Sequence, residues 1–206
     1  MSSNRLNKHF AVCAAAVATA VVGSANAAVV YSGVVNISIP ANIDGSYINV
    51  ETGQYSVTGG GEGVPGWDIN PYGTSLTAVS LYAATGTGYM RNPGAGTSTG
   101  RTNLAEGTNI GATSFFYGSS TATIGTLVGQ WSANANGIFG FKFLAADGLT
   151  HYGWARMSIG ANAASRTIVD YGFESTAGAA IAAGAPAPGA VALLGLAGLM
   201  TRRRRN

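Results

Sequence analysis

Between residues 138 and 174, three closely spaced runs place large apolar side chains at every second position. In the first, Phe139, Phe141 and Phe143 fall on one face, with Gly140 and Lys142 on the other. The turn signal Asp147-Gly148 leads into the second, residues 150–159. In the third, residues 167–174, Val169, Tyr171 and Phe173 alternate with Asp170, Gly172 and Glu174. A period of two sorts side chains onto opposite faces of a strand, whereas a helix would scatter these aromatics around its axis. The connecting loops are short enough for antiparallel neighbours. The three runs therefore predict an antiparallel meander that supplies much of the core, with Asp170 and Glu174 marking the solvent side of its last strand.

Shorter runs precede it. Residues 35–39 alternate strictly until Pro40, residues 45–51 follow the Asp44-Gly45 turn, and residues 76–83 place Val79, Leu81 and Ala83 on one face. Long amphipathic helical periodicity is absent. About eight to eleven strands are expected in one domain of about 150 residues, which suits a single core. The expected fold class is all-β: an antiparallel β-sandwich, jelly-roll or lectin-like, with a closed barrel as the alternative. The glycine-rich stretches 59–66 and 86–100 read as surface loops, and no fixed internal repeat is found.

The two ends differ from this body. Arg5 and Lys8 precede an apolar run over residues 10–22, and Ala25-Asn26-Ala27 then fits the small-x-small pattern of a signal-peptide cleavage site. The mature chain is expected to begin at Ala28. Cys13, the only cysteine, would leave with the signal, so no disulfide is expected. Of the 11 basic residues, 6 lie in the ends (Arg5, Lys8 and Arg202 to Arg205), leaving 5 against 8 acidic residues, a net charge of −3 for the rest. The formal +3 of the whole chain thus reflects topology, and no nucleic-acid partner is expected.

At the other end, Pro186-Ala187-Pro188 precedes an uncharged Leu/Gly/Ala run and then Arg202, Arg203, Arg204 and Arg205. Residues 189–201 would form a helix about 20 Å long, short for a hydrocarbon core of about 30 Å. The arginines favour the cytoplasmic side and leave the body outside. This three-part tail resembles a PEP-CTERM sorting signal. The resemblance covers about the last twenty residues and implies export by the secretion machinery, a membrane-embedded C-terminal helix, recognition by an exosortase-type enzyme, and surface or matrix display. Ala187 stands where that family usually has glutamate, which separates membrane targeting from cleavage and leaves a retained anchor open. The organisation expected is a signal peptide (1–27), a β domain (28–175), a linker (176–185) and a sorting tail (186–206).

The residues offer little catalytic chemistry. His151 is the only histidine beyond the signal, no Gly-x-Ser-x-Gly elbow is present, and no calcium-loop pattern surrounds Asp44, Glu62 or Asp68. No catalytic residue, metal ligand or cofactor is therefore assigned. The most suggestive cluster is Trp67, Asp68, Asn70 and Tyr72, where flat apolar rings and directional polar groups suit a sugar. Core burial of the tryptophans is the competing expectation. Two function classes follow: an exported structural or adhesion protein, and a carbohydrate-binding module that contacts extracellular polysaccharide, with an envelope glycan hydrolase further behind.

Overall fold

The computed structural model describes residues 28–92 and 100–185. The signal-cleavage residues Ala25 and Ala27, the sorting residues Pro186, Pro188 and Arg202 to Arg205, and the two expected terminal helices lie outside the described residues. The chain is all-β and antiparallel. Its strands are β1 (Val29–Tyr31), β2 (Ile37–Ser38), β3 (Tyr47–Ile48), β4 (Tyr55–Ser56), β5 (Ile69–Tyr72), β6 (Ala78–Ala83) and β7 (Gly88–Met90). They continue with β8 (Asn109–Ile110), β9 (Phe116–Tyr117), β10 (Ser119–Thr123), β11 (Ala135–Leu144), β12 (Thr150–Ile159), β13 (Arg166–Glu174) and β14 (Ile181–Ala182).

A seven-stranded sheet runs β1-β13-β12-β11-β7-β9, with β2 also on β13. A five-stranded sheet runs β10-β6-β5-β3-β4, and β14 pairs with β8 alone. The predicted meander is the centre of the larger sheet, where β11 pairs with β12 and β12 with β13. Phe139, Phe141 and Phe143 are fully buried and line one cluster with Ile48, Ile69, Val79 and Leu81 from the smaller sheet. Neighbouring rings Phe141 and Phe143 lie 5.9 Å apart, and Phe143 meets Phe173 edge-on at 5.5 Å. Such pairs add about 0.5–1.5 kcal/mol beyond the area they bury.

The opposite face of the larger sheet is also covered. Ile138, Tyr152 and Trp154 pack there against Leu104, Ile110, Ile181 and Ala183. Gly140 leaves room for this layer, since a Cβ on it would lie 2.9 Å from Ile110 Cδ1 and 3.0 Å from Leu104 Cδ1. Residues 176–185, expected as a linker, instead carry β14, and Ile181 is buried against the sheet. The physical reason is that a sheet apolar on both faces needs a second cover.

Three further expectations are corrected. Asp170 and Glu174, expected to face solvent, are 3 % and 2 % exposed. Asp170 Oδ2 accepts hydrogen bonds from Tyr31 Oη at 2.8 Å and Arg156 Nη1 at 3.3 Å. The facing of β13 also changes partway along. Arg156 pairs with Asp170 while the next residue, Met157, pairs with Ile168, so Val169 is the extra residue of a bulge. Ile168 joins Tyr171 and Phe173 in the core, and Val169 is half-buried. Within 86–100, read as a loop, residues 88–90 form β7, where Tyr89 is fully buried and faces Phe141.

Candidate functional site

The five strands of the smaller sheet contain no charged residue. Cross-strand partners share a face, and away from the core two rows line up: Ser119, Tyr82 and Asn70, then Thr121, Ser80 and Tyr72. Tyr47 of β3 stands near them and meets the Trp67 indole edge-on at 5.0 Å. Trp67 also lies 6.0 Å from the Tyr82 ring at 31°, and Tyr82 meets Tyr72 edge-on at 6.5 Å. The result is a continuous patch of half-exposed rings bordered by hydroxyls.

The loop that presents Trp67 is held from below. Buried Asn49 donates through Nδ2 to Pro65 O at 3.0 Å and Gly66 O at 2.9 Å. Gly66 takes φ +65°, which an L side chain rarely adopts. A short 3-10 turn, Gly61–Gly63, passes so close to the indole that a Cβ at Gly61 would collide with it. The ring is therefore positioned by backbone contacts before any ligand arrives.

Trp67 separates two depressions. One, of about 500 Å³, is lined by Trp67, Asp68, Tyr82, Thr85, Thr87 and Leu144. The other, about 490 Å³ and shallower, lies between Tyr47, Val64, Pro65 and the same indole. Asp68 is 4 % exposed, and its Oδ2 accepts a hydrogen bond from Val50 N at 2.9 Å. Burial pushes this carboxyl up to about 7; the Val50 bond opposes the shift and the Glu51 charge adds to it. Near neutral pH the group exists in both forms, so it can accept or donate toward a hydroxyl.

Of the four residues singled out in the sequence, Trp67 and Asp68 line the pocket and the other two do not. Asn70 is 2 % exposed and spends its amide on Asp44 O at 2.7 Å. Its backbone N donates to Tyr89 Oη at 3.1 Å, and that hydroxyl donates to Tyr82 O at 2.7 Å. Asn70 thus builds the floor, and Tyr72 reaches the site only through Tyr82. Sequence reasoning missed Tyr47, Tyr82, Thr85, Thr87 and Leu144. Tyr82 carried the one visible signal, a large ring on the polar side of the 76–83 run. Trp131 and Trp154 are both 1 % exposed and belong to the two core clusters.

Outside the patch, His151 is the second residue of β12 and has both ring nitrogens engaged. Nδ1 faces Glu174 O at 2.8 Å and Nε2 faces Asp147 Oδ2 at 3.2 Å. The pocket lining offers one carboxylate, Asp68, where glycoside hydrolysis ordinarily uses two. Among the described residues, no three or more His, Cys, Asp and Glu side chains converge as metal ligands. Among them also, no helix is long and apolar enough to cross a membrane.

Fold and site together define an all-β, antiparallel protein with an aromatic surface patch. No protein-family model, no characterised protein and no solved structure matches the chain.

Proposed function

We propose that this chain is an exported structural or adhesion protein of the cell surface or extracellular matrix, with no catalytic role. Its body is then a two-layer sandwich of the jelly-roll or lectin-like type, a reading supported by the single core cluster to which both larger sheets contribute. A signal peptide ending at Ala27 and a PEP-CTERM-like tail would take it through the secretion machinery to the membrane and to an exosortase-type enzyme. The observation that carries the adhesive reading is the charge-free sheet, whose accessible outer positions are Tyr, Ser and Thr. Such a surface makes contacts by stacking and hydrogen bonding that salt hardly screens.

Mass spectrometry of the protein from its native cell tests the sorting half. Peptides beginning at Ala28 and lacking Arg202 to Arg205 are expected; an intact arginine tail in the membrane fraction would replace cleavage with anchoring.

A second reading, a carbohydrate-binding module, is favoured by the pocket beside Trp67. A half-exposed indole takes the apolar face of a sugar ring, while Asp68, Thr85 and Thr87 supply polar partners for its hydroxyls. Trp67→Ala is expected to weaken binding to extracellular polysaccharide by about 1–3 kcal/mol, the range for losing an interface aromatic. Unchanged binding to every polysaccharide tried would remove this reading.

A further inference from the structure

Glu174, the last residue of β13, buries its carboxyl at 2 % exposure. Its Oε1 accepts hydrogen bonds from Ala28 N at 2.7 Å and Thr176 N at 2.9 Å. While residue 27 is attached, both donors are neutral amides. The ion pairs among the described residues join other carboxylates, those of Asp147, Glu106 and Asp170. A buried carboxylate with no countercharge is costly, and amide donors meet only part of that cost. The Ala28 nitrogen is held in register: Ser175 N donates to Ala28 O at 3.0 Å, and Val29 stands opposite Glu174 in the β1–β13 ladder. The sequence places the expected signal-cleavage site, Ala25-Asn26-Ala27, immediately before that nitrogen.

We propose that removal of residues 1–27 converts the Ala28 nitrogen into an α-ammonium that ion-pairs with Glu174, so that maturation itself supplies the missing cation and fastens β1 to β13. This rests on the reading of residues 1–27 as a cleaved signal. A signal-peptidase-type protease directs water onto the Ala27 carbonyl carbon and the bond to Ala28 N breaks. Ala27 departs as a carboxylate, and the freed amine takes up a proton. One neutral N–H donor becomes three on a positive charge, and charge-assisted bonds are roughly twice as strong as neutral ones. The titratable neighbours are His151 on β12, whose Nδ1 faces Glu174 O, and Asp147 on the turn before it, bonded to His151 Nε2. Neither reaches the Glu174 carboxyl in an ion pair.

The test uses the full chain with a site-specific protease sequence replacing residues 21–27, cut in vitro to leave Ala28 first. Acylation of the α-amine near pH 8 is followed by mass spectrometry for the cut protein, its Glu174→Gln variant and the cut protein in denaturant. A free α-amine titrates at about 7.7–8.0, so near pH 8 the first unit of elevation slows acylation about fivefold and each further unit about tenfold. The folded wild type is expected to react at least about tenfold more slowly than the other two, and to melt higher than its uncut precursor. Equal rates for folded and denatured wild type overturn the ion pair, and that comparison holds even where the glutamine variant fails to fold. Sequencing the N-terminus of the exported protein is a separate arm. A mature start other than Ala28 overturns the maturation step, whatever the cut protein shows.

Discussion

Gly153 stands directly across from Phe141 in the β11–β12 ladder, and a Cβ on Gly153 would come 2.5 Å from Phe141 Cζ and 2.9 Å from Gly172 O. The missing side chain is the space into which the Phe141 ring lies. That ring is fully buried and contacts Phe139 and Phe143 at 6.3 and 5.9 Å. Gly153→Ala should therefore overpack the centre of the larger sheet and cost about 1–3 kcal/mol. Urea unfolding measures it. If the ring is the obstacle, Phe141→Leu in the Gly153→Ala background should recover part of the loss, as a positive coupling in a double-mutant cycle. Additive losses would place the strain at the Gly172 carbonyl instead.

The meander was legible because its strands are long and its aromatic rings repeat without interruption. The bulge was not, since Val169 and Ile168 are equally apolar and only the pairing with Met157 chooses between them. Strands of two or three residues, such as β3, β4 and β8, carry too short a pattern to stand out; long-range partners define them. Burial of Asp170 and Glu174 was hidden for a related reason, because their partners Tyr31, Arg156 and Ala28 come from other strands or from the residue just before β1. At the patch, Trp67 and Asp68 announced themselves as neighbours in sequence. The opposite wall, Tyr82 to Thr87 with Leu144, arrives from β6, the turn after it and the end of β11.

Ile181 tests whether residues 176–185 belong to the domain. It is 3 % exposed, pairs with Ile110 and packs in the cluster around Trp154. Truncation of a buried isoleucine leaves a cavity, so Ile181→Ala should cost about 2–4 kcal/mol. Ala182→Ser, at the exposed neighbouring position of the same strand, should stay within about 0.5 kcal/mol. Thermal melts of the two variants separate a packed strand from a linker; equal, negligible shifts would restore the linker.

Asp68 should tie stability to pH across neutrality. Its carboxyl is raised in the folded state to about 7, against an ordinary value near 3.8. Between those values the folded chain holds a proton that the unfolded chain has released, so this group's contribution falls as pH rises from about 4 to 7. Each unit of displacement is worth about 1.4 kcal/mol. Asp68→Asn keeps an acceptor for Val50 N and removes the charge. It should flatten that slope and raise the melting temperature by several degrees at pH 8, with little change at pH 3.5. Melting curves at the two pH values decide it, and a variant less stable at pH 8 would contradict the burial argument.

His151 should act with the opposite sign. Burial alone would lower its pKa, but the hydrogen bonds to Glu174 O and Asp147, with the Asp147 charge, outweigh burial and raise it. Both partners are acceptors, so only the imidazolium satisfies both with N–H donors. A base raised on folding stabilises fully below its unfolded value, about 6.5, and the gain is lost as pH climbs through the folded value. Asp147 is lowered, first by the Leu149 N hydrogen bond and then by His151, so its share persists above about 4 and disappears as acid protonates it. The pair therefore contributes most between about pH 4 and 6.5. His151→Gln should cost more stability at pH 5.5 than at pH 9 when urea midpoints are compared. Asp147→Asn should remove most of that difference while leaving the Glu174 O contact in place. A cost for His151→Gln that is the same at both pH values would mean that the ring serves only as packing against Phe143, whose centroid lies 5.7 Å away.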